Sequence, residues 1–368
     1  MGLIDRASPA DVAMLAMGAG GALSQRAGAV LMLEPGPGFE VTRASALLAE
    51  WIRSVPRLRR RLVRVPFGGG RPVWVDDPRF DLRLHVREVT CPAPGDERAL
   101  LDVAAGALTG PLPPSRWTAV FVTGLSDGAV ALIVVLDHVL ADGIGGLALL
   151  AALTGPRRTF AVVRTGLAPL RSAAHRHGGT VNDALLTAVT GALNRLLERR
   201  GEHVGALSVS VPVSARRSTT SGELGNRFGV MIAALPVTGD PAHRMERIAA
   251  LLAWRKKRAA TASAADLFGP LIRLLAALGL YRRYLRRQRR IHTLVSNVRG
   301  PDRPLVFAGA DIREIIPVAV SENGNVTVSF EILSYAGTVA ITVIADPASV
   351  PDLDELIAYL RDELAGIT

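Results

Sequence analysis

Cysteine is nearly absent from this chain: Cys91 is its one thiol in 368 residues. A lone cysteine cannot form an internal disulfide and excludes any zinc site built from several cysteines. It fits a reducing compartment. The seven histidines form no H-E-x-x-H pattern and no tight cluster, so no metal is expected. Aromatic residues make up only 5% of the sequence. With no nucleic-acid-binding motif and no separate basic domain, this argues against a nucleic-acid partner. Long hydrophobic runs are missing too. The longest apolar run without glycine is Ala129 to Leu136, far short of the roughly 20 residues a spanning helix needs. Near the N-terminus Arg6 precedes an apolar stretch, but Asp5 and Asp11 interrupt it and no clear cleavage site follows. A cytoplasmic protein is expected, with peripheral membrane contact as an added option.

Apolar material is plentiful at 49%, enough for one large core or two medium ones. The length suits two domains or two lobes of one. The net charge of +10 is mostly arginine. By itself it leaves open nucleic acid, an anionic membrane surface, or an acidic substrate such as a phosphorylated cofactor.

Periodicity and punctuation predict alternating strands and helices. A helix is expected over residues 8–18, with Ser8 as cap and Pro9 at the first position. Strands are expected at Ala29 to Leu33, Pro72 to Val75 and His85 to Val89, and helices at Ser45 to Ser54 and Glu97 to Leu108. Thr118 to Thr123 and Ala129 to Leu136 read as a hairpin around Ser126-Asp127-Gly128. A helix over Ile144 to Leu153 follows. Thr154 to Arg158 marks a boundary, giving units 1–154 and 155–368. Beyond it come a strand at Phe160 to Arg164, a long helix from Val181 to Glu198, strands at Ala206 to Val213 and Val230 to Pro236, and a helix from Pro241 to Lys257. An apolar helix over 266–291, strands Val326 to Leu333 and Thr338 to Ala345, and a helix from near Asp352 complete the chain. The class is α/β or α+β with mixed sheets.

The chemistry concentrates in Asp137-His138-Val139-Leu140-Ala141-Asp142-Gly143. A fully apolar strand ends abruptly in Asp-His, and Gly143, Gly145 and Gly146 follow. Strand ends hold side chains rigidly beside clefts, and a histidine there is suited to general-base work near neutral pH. The glycines leave room for a substrate to approach the backbone. Taken alone, His138 reads at least as well as a satisfied histidine at a strand end.

The rest of the chain shifts that balance. D-H-V-L-A-D-G is similar to the H-H-x-x-x-D-G signature of the wax ester synthase/diacylglycerol acyltransferase family, within the CoA-dependent acyltransferase superfamily. Other matches fall in the family's order. They are Ser8-Pro-Ala-Asp11; Pro111-Leu112 with Arg116-Trp117; Val181-Asn182-Asp183; Val211-Pro-Val-Ser-Ala-Arg216 with Leu224-Gly-Asn226; Val295-Ser-Asn-Val-Arg-Gly-Pro301; and Ser334-Tyr335-Ala-Gly337 with Ala345-Asp346. Each is weak alone, but together they span nearly the whole chain. The resemblance implies a two-lobed fold like that of chloramphenicol acetyltransferase, with a tunnel between the lobes. It implies acyl transfer from acyl-CoA, a co-substrate rather than a bound cofactor, to a long-chain alcohol or diacylglycerol. His138 would be the general base. Asp142 would turn from the cleft to pair with Arg216, beside Gly143. Asn182, Asp183, Ser296 and Asn297 become candidates for substrate binding or the oxyanion, although Asn182 could equally cap its helix and Ser296 and Asn297 could equally shape a turn.

Two departures stand out. Asp137 replaces the signature's first histidine; it could raise the basicity of His138 or change acceptor preference. Family members are also generally longer, and here the crossover after the motif helix is cut short at Gly155-Pro156-Arg157-Arg158. Alternatives therefore stay open: acylation or condensation of a specialised metabolite from a CoA or carrier-protein thioester, or a non-catalytic lipid- or partner-binding relative. The apolar stretch Leu267 to Leu280 followed by Arg282, Arg283, Arg286, Arg287, Arg289 and Arg290 reads as a contact for a membrane surface or lipid droplet, or as a solvated helix face. Other basic residues could meet the CoA phosphates.

Overall fold

The computed structural model describes residues 5–7, 11–12, 15, 26–36, 39–66, 70–137, 139–140, 159–214, 228–259, 287–320 and 325–368. The expected helices at 8–18, Ile144 to Leu153 and 266–291 lie wholly or mostly outside this set, as does the proposed boundary at Thr154 to Arg158.

Two six-stranded mixed sheets carry the fold. The first is built around β1 (Arg26–Glu34) and β6 (Val130–Asp137). These pair antiparallel from Arg26↔Asp137 to Leu33↔Val130. β5 (Trp117–Thr123) closes the expected hairpin against β6, and β4 (Val86–Thr90) runs parallel to β5. Helix α2 (Glu97–Thr109), capped by the Asp96 carboxylate on the Ala99 amide, lies between β4 and β5 in the chain. Helix α1 is Val41–Ser54. A separate pair, β2 (Arg60–Val63) and β3 (Val73–Asp76), sits apart from both sheets.

The second sheet runs β7-β14-β13-β10-β8-β9. Its strands are β7 (Thr159–Gly166), β8 (Ala206–Ser214), β9 (Phe228–Pro236), β10 (Thr293–Arg299), β13 (Val328–Tyr335) and β14 (Thr338–Ala345). Helices α3 (Leu167–Arg176), α4 (Val181–Arg199), α5 (Pro241–Ala259) and α6 (Leu353–Ile367) accompany it. Val328, Phe330 and Ile332 of β13 join residues of α3, α4, α5 and α6 in one core. The strand's alternation therefore turns Ser329, Glu331 and Leu333 to the other face. That face meets the first sheet. A second core joins Val30, Ile133, Val135, Ile316 and Val318 of the first sheet to Phe160, Val162, Leu294, Ala340 and Ile344 of the second. A third lies on the outer face of the first sheet around Leu48, Ile52 and Phe121.

Sheet and sequence order part company after β10. β11 (Leu305–Phe307) and β12 (Ala310–Val320) return to the first sheet, where β12 pairs antiparallel with β1. Units of 1–154 and 155–368 thus do not follow the sheets: β1 needs a partner on its second edge, and residues 310–320 supply it.

Gly28 marks the closest approach in the first sheet. A Cβ there would collide with the Val134 carbonyl. Gly28→Ala must push β1 away from β6, and we expect a loss of about 1–3 kcal/mol in a denaturant titration. An unchanged midpoint would mean that the two strands separate freely.

Candidate active site

The apolar strand β6 ends in a turn centred on Asp137, which is 4% exposed. Its Oδ1 accepts from the Val139 amide at 3.0 Å, and its carbonyl accepts from the Leu140 amide at 2.9 Å. Such local bonds are how aspartate shapes a chain reversal. Oδ2 accepts from Arg116 Nη1 at 2.6 Å, and the Asp137 amide donates to the Arg116 carbonyl at 2.9 Å. Arg116 holds φ at +63°, a conformation that costs a non-glycine residue energy and is fixed here by both bonds. Val139 and Leu140 are fully buried beyond the turn. Arg26 stands opposite Asp137 on β1 and donates to the carbonyls of Leu108 and Gly110. Burial presses its guanidinium below the usual value, with Asp137 opposing and Arg116 reinforcing. Both oxygens of Asp137 are therefore engaged in building the turn. His138, Asp142, Gly143 and Arg216 lie outside the described residues.

Asn182 and Asn297 come together although 115 residues separate them: Asn297 Nδ2 donates to Asn182 Oδ1 at 3.3 Å. Asn182 sits in the first turn of α4, where backbone amides have no partner within the helix. The first-turn amides and the two side chains could together face an oxyanion. Asp183 is not part of that set. Its Oδ2 accepts from the Thr180 amide at 2.8 Å and from the Thr180 hydroxyl at 2.7 Å, closing a capping box. That oxygen is thus engaged in starting the helix.

Ser296 separates from Asn297. Neighbours on a strand point to opposite faces, so Asn297 looks toward α4 while Ser296 looks toward the first sheet. Ser296 pairs in register with Glu331, and Glu331 with Thr342. All three side chains are buried. Burial drives the Glu331 carboxyl well above the usual carboxylate range, and only the Ser296 hydroxyl opposes this. Sequence reasoning missed Glu331 and Thr342. The signal was a single acid within V-S-F-E-I-L-S-Y, an otherwise apolar strand. It also gave Arg116 no role, because nothing in the sequence ties Arg116 to Asp137.

His85 is a structural histidine. Its ring stacks between Phe80 and Trp117, at centroid distances of 4.9 and 4.4 Å. Its Nδ1 donates to the Trp117 carbonyl at 2.9 Å, and burial holds the imidazole below its ordinary value.

Two family models match the chain in order. The wax ester synthase/diacylglycerol acyltransferase catalytic domain matches residues 7–155, and the WS/DGAT C-terminal domain matches residues 224–368. The chain belongs to the wax ester synthase/diacylglycerol acyltransferase family. A Mycobacterium tuberculosis protein named "Probable diacyglycerol O-acyltransferase tgs1" is 27% identical over 428 aligned positions, covering 92% of this chain and 90% of the relative. Among solved structures, the wax ester synthase/diacylglycerol acyltransferase from Marinobacter aquaeolei VT8 superposes with a TM-score of 0.73 at 22% identity, covering 99% and 98% of the two chains. The first condensation domain of the calcium-dependent antibiotic synthetase gives 0.65 at 16% identity, covering 99% and 96%. Both share the two-sheet fold. The WS/DGAT models leave residues 156–223 unmatched. The 428-position alignment exceeds the chain's own length, so the mycobacterial relative has positions without a counterpart here. Membership sets the class of reaction as O-acyl transfer from acyl-CoA, the co-substrate of WS/DGAT enzymes.

Proposed function

We propose that the protein transfers the acyl group of an acyl-CoA to the hydroxyl of a lipid alcohol, with His138 as general base. The observation that carries this reading is the Asp137 turn. Its two carboxylate bonds and the buried Val139 and Leu140 anchor the chain on both sides of His138. In the step, His138 takes the acceptor's proton as the oxygen attacks the thioester carbonyl. The new C–O bond forms, the C–S bond breaks, and the proton passes to the departing CoA thiolate. No enzyme-bound acyl intermediate is needed. Asn182 and Asn297, at the start of α4, are the donors we assign to the developing oxyanion. To Asp142 and Arg216 we assign, by the motif alone, the structural pairing that the family resemblance implies.

The two lobes around this site follow the two sheets, residues 305–320 of the 155–368 unit completing the first, with the acyl donor and the acceptor entering from opposite sides. The lipid character of the acceptor fits a surface contact. Arg287, Arg289 and Arg290 are exposed and end the basic run that follows Leu267 to Leu280. No helix among the described residues is long and apolar enough to cross a membrane. We place the protein in the cytoplasm, docking on lipid through that run.

The test is direct. Purified protein with an acyl-CoA and a panel of long-chain alcohols and diacylglycerols should release free CoA thiol and form the matching ester by mass spectrometry. Absence of both, with any pairing, would sink the reading.

A further inference from the structure

The basic run ends in a fixed bend. Gln288 interrupts Arg287, Arg289 and Arg290; it is 8% exposed, while the three arginines around it are exposed. Its side-chain amide has no hydrogen-bonding capacity left over. Oε1 accepts from the amides of Arg290 at 2.8 Å and Ile291 at 2.9 Å. Nε2 donates to the Ile291 carbonyl at 2.8 Å and to Asn325 Oδ1 at 2.6 Å. Asn325 Nδ2 donates back to the Gln288 carbonyl at 2.7 Å. The residues that follow are pinned as well. Ile291 is buried in the core between the sheets. The His292 amide donates to the Ser208 carbonyl of β8 at 2.8 Å, and His292 Nδ1 accepts from the Ser208 amide at 3.2 Å. β10 then begins at Thr293.

A solvated helix face needs none of this. On such a face, arginines spread through their own side-chain freedom. Here the bend sets three cations on a backbone that cannot part, and like charges held close repel. No acidic residue occurs from Leu267 to Pro301 to relieve them. Among the described residues none of the three is bonded to a carboxylate, whereas Arg195, Arg199 and Arg299, also on the surface, each face one. A buried, fully paired knot that holds unpaired cations together is suited to an anion. Guanidinium forks match the oxygens of a phosphate, and a backbone fixed beforehand loses less freedom on binding. The apolar stretch Leu267 to Leu280 precedes the run. Apolar chain followed by arginine suits a lipid surface, where acyl chains and phosphates adjoin.

We propose that Arg287, Arg289 and Arg290, positioned by Gln288 and Asn325, form a binding site for the headgroup phosphate of an anionic phospholipid. This rests on the lipid docking proposed above and deepens it: the contact is with phosphate, through guanidinium forks, and not with negative charge in general. Gln288 and Asn325 are positioning residues that act through the backbone of the arginines.

The experiment sediments the purified protein with phosphatidylcholine vesicles that carry either phosphatidylglycerol or a fatty acid, matched in measured surface charge. Wild type should bind the phosphatidylglycerol vesicles about tenfold or more tightly than the fatty-acid vesicles. Replacing all three arginines by alanine should weaken phosphatidylglycerol binding about a hundredfold. Replacing all three by lysine keeps the charge but not the fork, and should remove most of the preference between the vesicles. Asn325→Ala loosens the knot without touching the charge, and should weaken phosphatidylglycerol binding about fivefold. All four positions are exposed, so the variants should fold, and their melting temperatures check this. Equal binding of both vesicle types by wild type, or an unchanged preference in the lysine variant, would mean attraction to charge alone and overturns the proposal while leaving lipid docking intact. Unchanged binding by Asn325→Ala overturns the positioning role. Binding to neither vesicle overturns the docking reading together with the site. Acyl-CoA is the other source of phosphate. If CoA raises the melting temperature of wild type but not of the alanine variant, the arginines serve the acyl donor and the proposal fails; an equal rise in both supports it.

Discussion

Replacing His138 with alanine is expected to lower kcat for acyl transfer by about two to four orders of magnitude, with the KM values little changed. A general base acts on the proton in flight, so its loss falls on the chemical step and not on binding. The variant should fold, because the strand before His138 and the two residues after it are anchored independently of its side chain. Asp137 binds Arg116 and the Val139 amide, and Val139 and Leu140 are buried. His85 supplies the control. Its ring is wedged between Phe80 and Trp117 and bonded to a backbone carbonyl, so His85→Ala should lower the melting temperature. The activity that remains per folded molecule should be close to wild type. CoA release by His138→Ala at the wild-type rate would remove it from the chemistry.

The two histidines also show what the sequence could and could not reveal. β6 was legible because eight consecutive apolar residues from Ala129 leave little but a buried strand. The helix from Val181 was legible, but its cap was not: the sequence offered Asn182 for that role, and the structure gives it to Thr180 with Asp183. β12 was not. Arg313, Glu314 and Pro317 interrupt it, and each is explained only by tertiary partners. Arg313 bridges Glu34 and Asp127, and Glu314 binds Arg164. Pro317 falls where β12 has run past the three residues of β11, so among the described residues no strand on that edge requires its missing N–H. β10 went unread for a related reason: motif matching gave Ser296 and Asn297 as substrate or oxyanion candidates, with a turn as the other reading. The strand instead sends them to opposite faces, one to the α4 terminus and one to the buried Glu331. The motif residues were legible as a set, but which of them share a surface follows from strand parity.

Asp137→Ala carries the other large effect. Removing the carboxylate leaves Arg116 without its 2.6 Å partner and leaves Arg26, itself buried, facing a second guanidinium without the intervening charge. Breaking a buried pair from one side costs more than the pair contributes. Arg116 is 33% exposed at its side chain, so water offsets part of the loss, and we expect about 2–3 kcal/mol rather than the larger value of a fully buried pair. Asp137→Asn keeps an acceptor for the Val139 amide and should cost less. A double-mutant cycle with Arg116→Ala should return a coupling of about 1–2 kcal/mol, because either alanine removes the side-chain bond that joins the two residues. The same variants should lower kcat through the turn that presents His138, without altering which acceptor is preferred. The informative case is Asp137→His, which restores the first residue of the H-H-x-x-x-D-G signature. An imidazole cannot accept from both Arg116 and the Val139 amide as the carboxylate does, so the restored signature should be less stable and slower than the D-H form. If Asp137→His matched wild type in denaturation midpoint and kcat, the turn would not depend on the carboxylate. Asp137 in this chain would then be a neutral replacement rather than one half of a matched pair with Arg116.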